Sequence, residues 1–293
     1  MSAPLQRADA RQAWRAFFRE RGAGFGVAVI FLTFFCGAAA NLIAPHDPAF
    51  QYRDHLLQPP VWSVGGSTSF VLGTDELGRD LLSRLLYGAR LSLAIASMSV
   101  LLSVLPGIAF GLLAAFHKRT VAPVILRAMD VLMALPGLLV AICVIAVLGP
   151  GLTNTMIAVA VGTLPGHVRL VRAAALTELP KDYVLASRIA GAGTFRLMWR
   201  TVLPNCLPPV IVNATLGFSS AILDVAALGF LGLGVQAPTP EWGTMLSSAR
   251  DYFHLAPWIV IAPGLAILVS VLAINLVGDA LRDVLDPKLR GAE

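Results

Sequence analysis

Apolar residues fall along the chain in six runs long enough to cross a bilayer, at about 22–44, 91–116, 128–149, 153–173, 206–235 and 257–278. A span needs roughly 20 apolar residues, because the hydrocarbon core is about 30 Å thick and a helix rises about 1.5 Å per residue. At that depth no water satisfies backbone N–H and C=O groups, so each run is predicted to be a helix. The run at 206–235 exceeds one span and contains Asp224, which predicts a break or a tilted helix there. Pro136 and Pro165 remove helical hydrogen bonds from the third and fourth runs and predict kinks. Kinks suit a pathway that opens alternately, and they also occur in static bundles. The expectation is an all-α polytopic membrane protein: one six-helix domain, 22–278, between a basic tail at 1–21 and a second tail at 279–293.

The polar segments between the runs set the orientation. With the N-terminus in the cytoplasm, 17 of the 22 lysines and arginines lie inside, and the positive-inside rule then predicts both termini to be cytoplasmic. Three connections face outward, at about 45–90, 149–151 and 236–256. The first holds Arg53, Arg79, Arg84 and Arg90 against Asp47, Asp54, Asp75, Glu76 and Asp80, a near balance.

Composition agrees: 57% of residues are apolar and 13% charged, about half the charge of a soluble domain. The net charge of +5 gathers at the borders of apolar runs, which fits the lipid bilayer and cytoplasmic partners and excludes a nucleic-acid face. Five arginines at residues 1–21 followed by an apolar run imitate a signal peptide, but the run is too long for an ordinary h-region and further spans follow. Cys36, Cys143 and Cys206 have no metal or disulfide spacing and read as packing residues.

Enzymatic chemistry finds no foothold. There is no phosphate-cradling G-x-x-x-x-G-K-[ST] loop, so this chain does not hydrolyse ATP in the usual P-loop way. The five histidines form no H-E-x-x-H pair, and no G-x-S-x-G elbow occurs. Gly191-Ala192-Gly193 imitates a dinucleotide fingerprint but lacks its third glycine and a preceding strand. No metal, catalytic or cofactor-binding residue is expected.

The polar stretch 174–205 is the informative one. From Asp182 to Ala190 the pattern predicts a short helix with Tyr183, Ala186, Ile189 and Ala190 on one face, Asp182 capping its start and Gly191 ending it. A second turn or two, Thr194 to Thr201, would carry Arg196 and Arg200 on one side, with Pro204 stopping it before the next span. Small residues Ala186, Ser187, Ala190 and Gly191 would let a partner approach closely.

Leu185-Ala186-Ser187, then Gly191, then Leu203-Pro204-Asn205 resemble the E-A-A-x-x-x-G and downstream L-P-N pattern of permease subunits of ATP-binding-cassette importers. Leu185 replaces the usual Glu and Ser187 the second Ala. Residues Gly73 to Asp80 and Ala227 to Gly234, the stretch Pro238 to Gly243 and the terminal Leu281 to Pro287 are similar to the dipeptide and oligopeptide importer permeases, their second or C-type subunit above all. The resemblance implies the type I importer fold and a coupling helix seated on a cytoplasmic ATPase, with contacts from Asp182, Tyr183, Leu185, Ala186, Ser187, Arg188, Gly191, Ala192, Gly193, Pro204 and Asn205. It implies as partners a second homologous permease, two ATP-binding subunits that hold ATP and magnesium, and an extracytoplasmic peptide-binding protein. It places the protein in the bacterial inner membrane, carrying dipeptides, or longer peptides, glutathione or nickel in related importers.

For the substrate path, Asp224 is the carboxylate inside a span, where an isolated charge costs at least about 2.5 kcal/mol. Two readings stand: a contact for a peptide ammonium or a gate, and a buried partner for Arg79, Arg84 or Arg90 or a cap at a helix break. Pro136 and Pro165 join it as candidate gating positions. Asp75, Arg79 and Asp80 read as a turn with caps and ion pairs near where the binding protein would dock, and Glu241 and Trp242 as docking or loop-packing residues. An ion-driven secondary transporter is the rival; it would favour coupling-ion residues and paired broken helices.

Overall fold

The structure is a computed structural model that describes Phe17 and residues 20–285. The arginines at 7, 11, 15 and 19, with Lys288 and Arg290, therefore lie outside the described residues. Among the described residues the regular elements are helical, with one isolated bridge between Thr74 and Asp80. In order they are α1 (Arg21–Ala38), α2 (Ala40–Ile43), α3 (Leu81–Phe116), α4 (Ala122–Met133), α5 (Gly137–Leu148), α6 (Leu152–Glu178), α7 (Asp182–Ile189), α8 (Thr194–Phe230), α9 (Trp242–Ala249) and α10 (Trp258–Leu285).

Of these, α3, α8 and α10 are each long and apolar enough to cross a membrane, and α4 with α5 counts as a fourth if the two form one broken span. The apolar part of α1, Gly22–Ala38, is shorter. The 27 residues of α6 are long enough, but Asn154, His167, Arg169 and Arg172 dilute their apolar character.

Three expectations need correction. The second run begins at Leu81, not 91, because Asp80 caps the helix through the Ser83 amide at 2.9 Å and the charges of the first turns are held by neighbours. The third run is not one helix: α4 and α5 meet at 94° across residues 134–136, where Pro136 precedes α5 and cannot continue α4. The fifth run is unbroken at Asp224. Its irregularity lies at the other end, where Leu197–Val202 is π-helical. Pro204 does not stop this helix; the missing N–H is absorbed by the wider turn before it, and the helix runs on to Phe230.

Packing depends on small residues, as expected where lipid supplies no hydrophobic drive between helices. A Cβ on Gly107 of α3 would stand 2.6 Å from the Cβ of His167 on α6, and one on Gly111 would stand 2.7 Å from the Cβ of Val171. On the other side of the bundle, a Cβ on Gly26 of α1 would stand 2.7 Å from the Ala273 carbonyl of α10. Among the described residues there are three apolar clusters, of which the two larger fill the interior and a small one joins α1 to α10. Of the larger two, one, with Ile95, Ile145, Val159, Ile222 and Ile259, lies towards α9; the other, with Leu112, Val171, Met198 and Cys206, lies towards α7.

Gly111→Val should push α3 off α6 and cost about 1–3 kcal/mol, the usual price of overpacking. The expected readout is a lower thermal midpoint in detergent and a lower yield of folded protein from membranes; an unchanged midpoint would contradict the close approach.

Candidate functional site

Helix α7 sits at the end of the bundle where α3 and α6 finish and α8 begins. It follows Pro180-Lys181, and Lys181 holds the cap position without a side-chain cap bond. Asp182, expected as the cap, is the first helical residue, where its charge still complements the positive end of the helix. Gly191 ends the element in the left-handed region, at φ +82°, with its amide bonded to Arg188 O at 3.0 Å.

One side chain fastens this helix. Val184 is 1% exposed and packs in the cluster of Leu112, Ala115, Val171, Ala175, Met198 and Val202, contributed by α3, α6 and α8. Tyr183 donates to Glu178 at 2.6 Å, and the Lys181 ammonium reaches the same carboxylate at 2.6 Å, tying the start of α7 to the end of α6. Ser187 lies 3.5 Å from Thr201, and the Asn205 amide donates to Thr201 O at 2.9 Å. The face with Tyr183, Ala186, Ile189 and Ala190 points outward, together with Leu185, Arg188, Gly191 and Gly193, while Ala192 is half-buried. Pro204 and Asn205 are exposed on the first turns after the π stretch. The arrangement offers a small, partly apolar surface rigidly backed by three helices, and it holds no nucleophile–base pair.

The opposite end is braced by buried charge. Asp75 accepts from Arg79 Nε at 2.6 Å and lies 3.3 Å from Arg84 Nε, while Arg79 also reaches Glu76 at 2.9 Å. Arg84 donates onward to the carbonyls of Pro48 at 3.0 Å and Pro238 at 3.3 Å, joining the two long outer connections. Burial, with the Asp75 charge beside it, pushes the Glu76 carboxyl above the usual carboxylate range. Glycine is required at 78, where φ is +75° and a Cβ would collide with the Tyr52 carbonyl.

Glu241 caps α9 by accepting from the Gly243 and Thr244 amides, each at 2.9 Å, and it takes a third bond from Ser92 of α3 at 2.9 Å. Trp242 rests on Gly88 and donates its indole N–H to Leu85 O at 3.1 Å. Asp75, Arg79, Asp80, Glu241 and Trp242 are thus all buried, and they shape the surface of this end from beneath. The apolar side chains exposed there include Phe50, Leu56, Val61, Trp62 and Val64, which the charge-centred reading of the sequence passed over.

Asp224 is half-buried on α8 and, among the described residues, has no ion pair. Of its expected partners, Arg79 and Arg84 are engaged by Asp75 and Glu76 and Arg90 is exposed without an ion pair among the described residues, and the helix has no break there for Asp224 to cap. Pro136 marks the α4–α5 bend, whereas Pro165 is buried inside an α6 that stays continuous. Two polar links were missed. Asp130 of α4 pairs with Arg169 of α6, and Ser103 of α3 bonds to His167 of α6 at 2.9 Å and to Thr163 at 3.0 Å. Both join residues far apart in sequence, so no local pattern announces them. Cys206 is buried as expected and Cys143 is exposed; no metal-binding cluster occurs among the described residues.

Residues 107–291 match the family model described as binding-protein-dependent transport system inner membrane component, and residues 10–60 match the N-terminal TM domain of oligopeptide transport permease C. The chain is 61% identical to the di/tripeptide transport system permease protein DppC of Pseudomonas aeruginosa, over 96% of this chain and 93% of the relative. It is 51% identical to the dipeptide transport system permease protein DppC of Escherichia coli K12, over 99% and 97%. Among solved structures, a chain of the inward-facing MetNI methionine ABC transporter superposes with a TM-score of 0.53 at 21% identity, covering 69% of this chain and 96% of that one. That likeness speaks for the fold alone.

Glu241→Ala should strip three donors of their acceptor and lower stability by about 1–3 kcal/mol. Glu241→Gln, which keeps acceptor oxygen, should recover part of it. Equal thermal midpoints for wild type and the alanine variant would remove the brace from the account.

Proposed function

Because the chain belongs to the inner-membrane components of binding-protein-dependent transport systems, we propose that it is the permease of an ATP-driven importer for dipeptides, with α7 as the helix that receives the push of an ATPase. Membership carries with it, in general, ATPase and substrate-binding partners and a multi-pass place in the inner membrane. The finer reading gives it a second homologous permease across a shared pathway and two cytoplasmic ATPases that hold ATP and magnesium. An extracytoplasmic peptide-binding protein would rest on the outer face braced by Asp75, Arg79, Asp80, Glu241 and Trp242. Six spans are assigned to α1, α3, α4 with α5, α6, α8 and α10. The distribution of lysine and arginine supports cytoplasmic termini.

The observation that carries the coupling role is the seat of Val184. A force on the outward face of α7 has no soft loop to deform, because Val184 is held by α3, α6 and α8 together. Closure of the ATPases would therefore move these helices as a body, and the pathway would open outward by rigid-body rearrangement. The contact residues are those of the outward face and its flanks, Asp182, Tyr183, Leu185, Ala186, Ser187, Arg188, Gly191, Ala192, Gly193, Pro204 and Asn205, with Val184 beneath them as the buried anchor. Leu185, 54% exposed, offers an apolar contact where the usual Glu would offer a charged one. Asp224, Pro136 and Pro165 remain assigned to the path or its gate.

Dipeptide as substrate is supported by the full-length likeness to two permeases of that description. Purification of the chain with its partner subunits, followed by ATP hydrolysis measured against di-, tri- and oligopeptides, glutathione and nickel, tests it. Dipeptides should stimulate most; uptake in energised vesicles lacking any ATPase would instead establish an ion-driven transporter. Gly191→Arg meets nothing within 4 Å of its Cβ, and the left-handed φ of +82° costs a non-glycine residue about 1–2 kcal/mol at the end of α7 alone; membrane insertion should be normal, and Ala186→Arg, on the helix itself, repeats the test without that strain. ATPase copurification or transport should be lost, and full ATP-driven uptake would demote α7 to a plain loop.

A further inference from the structure

A cavity of about 510 Å³ opens between α6, α8 and α10 at the α7 end of the bundle. Its walls are apolar: Leu170 from α6, Val212 and Leu216 from α8 with the ring faces of Pro208 and Pro209, and Leu285 from α10. Among the described residues its polar lining is confined to Asn213 and Arg282. Arg282 is exposed and makes no ion pair among the described residues; Asp279 and Asp283, its neighbours on α10, are exposed as well.

The depth of each group sorts the occupants. Arg282 lies 24 residues beyond Trp258, about 36 Å along α10, just past a hydrocarbon core of about 30 Å. The α8 wall from Pro208 to Leu216 extends about 12 Å along the helix, back towards the middle of the bundle. The cavity is thus an apolar slot at acyl-chain depth with a guanidinium at headgroup level. A peptide zwitterion fits it poorly, since among the described residues no carboxylate lines the cavity and its ammonium would be desolvated without a partner. A phosphate diester on an apolar tail meets both halves, and a guanidinium takes phosphate through two parallel N–H bonds.

We infer that this cavity binds one anionic phospholipid, its phosphate on Arg282 and its acyl chain between α8 and α6. The inference rests on the chain spanning the bilayer; the cytoplasmic reading of the α7 end assigns the lipid to the inner leaflet. A lipid wedged between α8 and α10 would hold the inner ends of these two helices apart.

The test uses the complex with its partner subunits, exchanged from native membranes into detergent, with phosphatidylglycerol and phosphatidylethanolamine counted by native mass spectrometry. Wild type should retain phosphatidylglycerol. Arg282→Gln should lower retention roughly fivefold, the effect of one basic group at the membrane surface, and Arg282→Lys should restore most of it. Val212→Trp, which fills the slot and keeps the charge, should lower it too. Equal retention in all four proteins, preference for phosphatidylethanolamine, or displacement of the lipid by a dipeptide that photocrosslinks at position 212 would overturn the inference. Peptide-stimulated ATP hydrolysis is read on the same samples, so a wild type that keeps its lipid without that stimulation fails the transport reading and spares this one.

Discussion

The backbones of α3 and α6 touch at Gly107 and Gly111, and most of the molecule is arranged around that contact. In a bilayer, two helices gain little by hiding apolar surface from lipid tails, so their attraction comes from close van der Waals approach and from a few polar links. The glycines supply the first. Ser103, Thr163 and His167, one turn away, supply the second. The start of α3 then carries the buried ion pairs of the outer end, and the finish of α6 carries the tether to α7. A change of spacing along this one line reaches both faces of the membrane.

That continuity gives the two ends different mechanical characters. The end opposite α7 is stiffened by charge: Arg84 alone links Asp75, Pro48 and Pro238, so α3 and two long connections share a single guanidinium. Such a buried network is costly to leave half satisfied, so it persists as a unit or is lost as one. The α7 end is held by dispersion around Val184 and by the bonds of Tyr183 and Lys181 to Glu178.

Much of this was legible in the sequence because the signals are strong and local. Run length marked where helices lie, the Gly191 turn ended α7 where expected, and Asp80 ahead of a long apolar run was a cap in the making. The failures share a cause. Leu81 to Arg90 read as too charged for a span because the partner of Arg84, Asp75, lies in the preceding connection; for Glu241 and Trp242 the loop-packing alternative is the one found, and their partners Ser92, Leu85 and Gly88 lie about 150 residues away in the chain. Pro136 announced a kink but not its size, since 94° is set by what α4 packs against. Asp224, the most conspicuous residue in the sequence, has the least to show in the fold.

The π-helical stretch at Leu197–Val202 has a consequence of phase. Met198, Val202, Cys206 and Val210 are buried at strict intervals of four. On an unbroken α-helix such a row drifts by about 40° per step and soon winds away from its neighbours. A π turn closes one residue later than an α turn and takes up part of that drift. The row therefore stays against α3 and α6 from the level of α7 into the depth of the bundle, and α8 acts as a straight spline rather than a screw. A displacement along its axis is carried through without being turned into rotation.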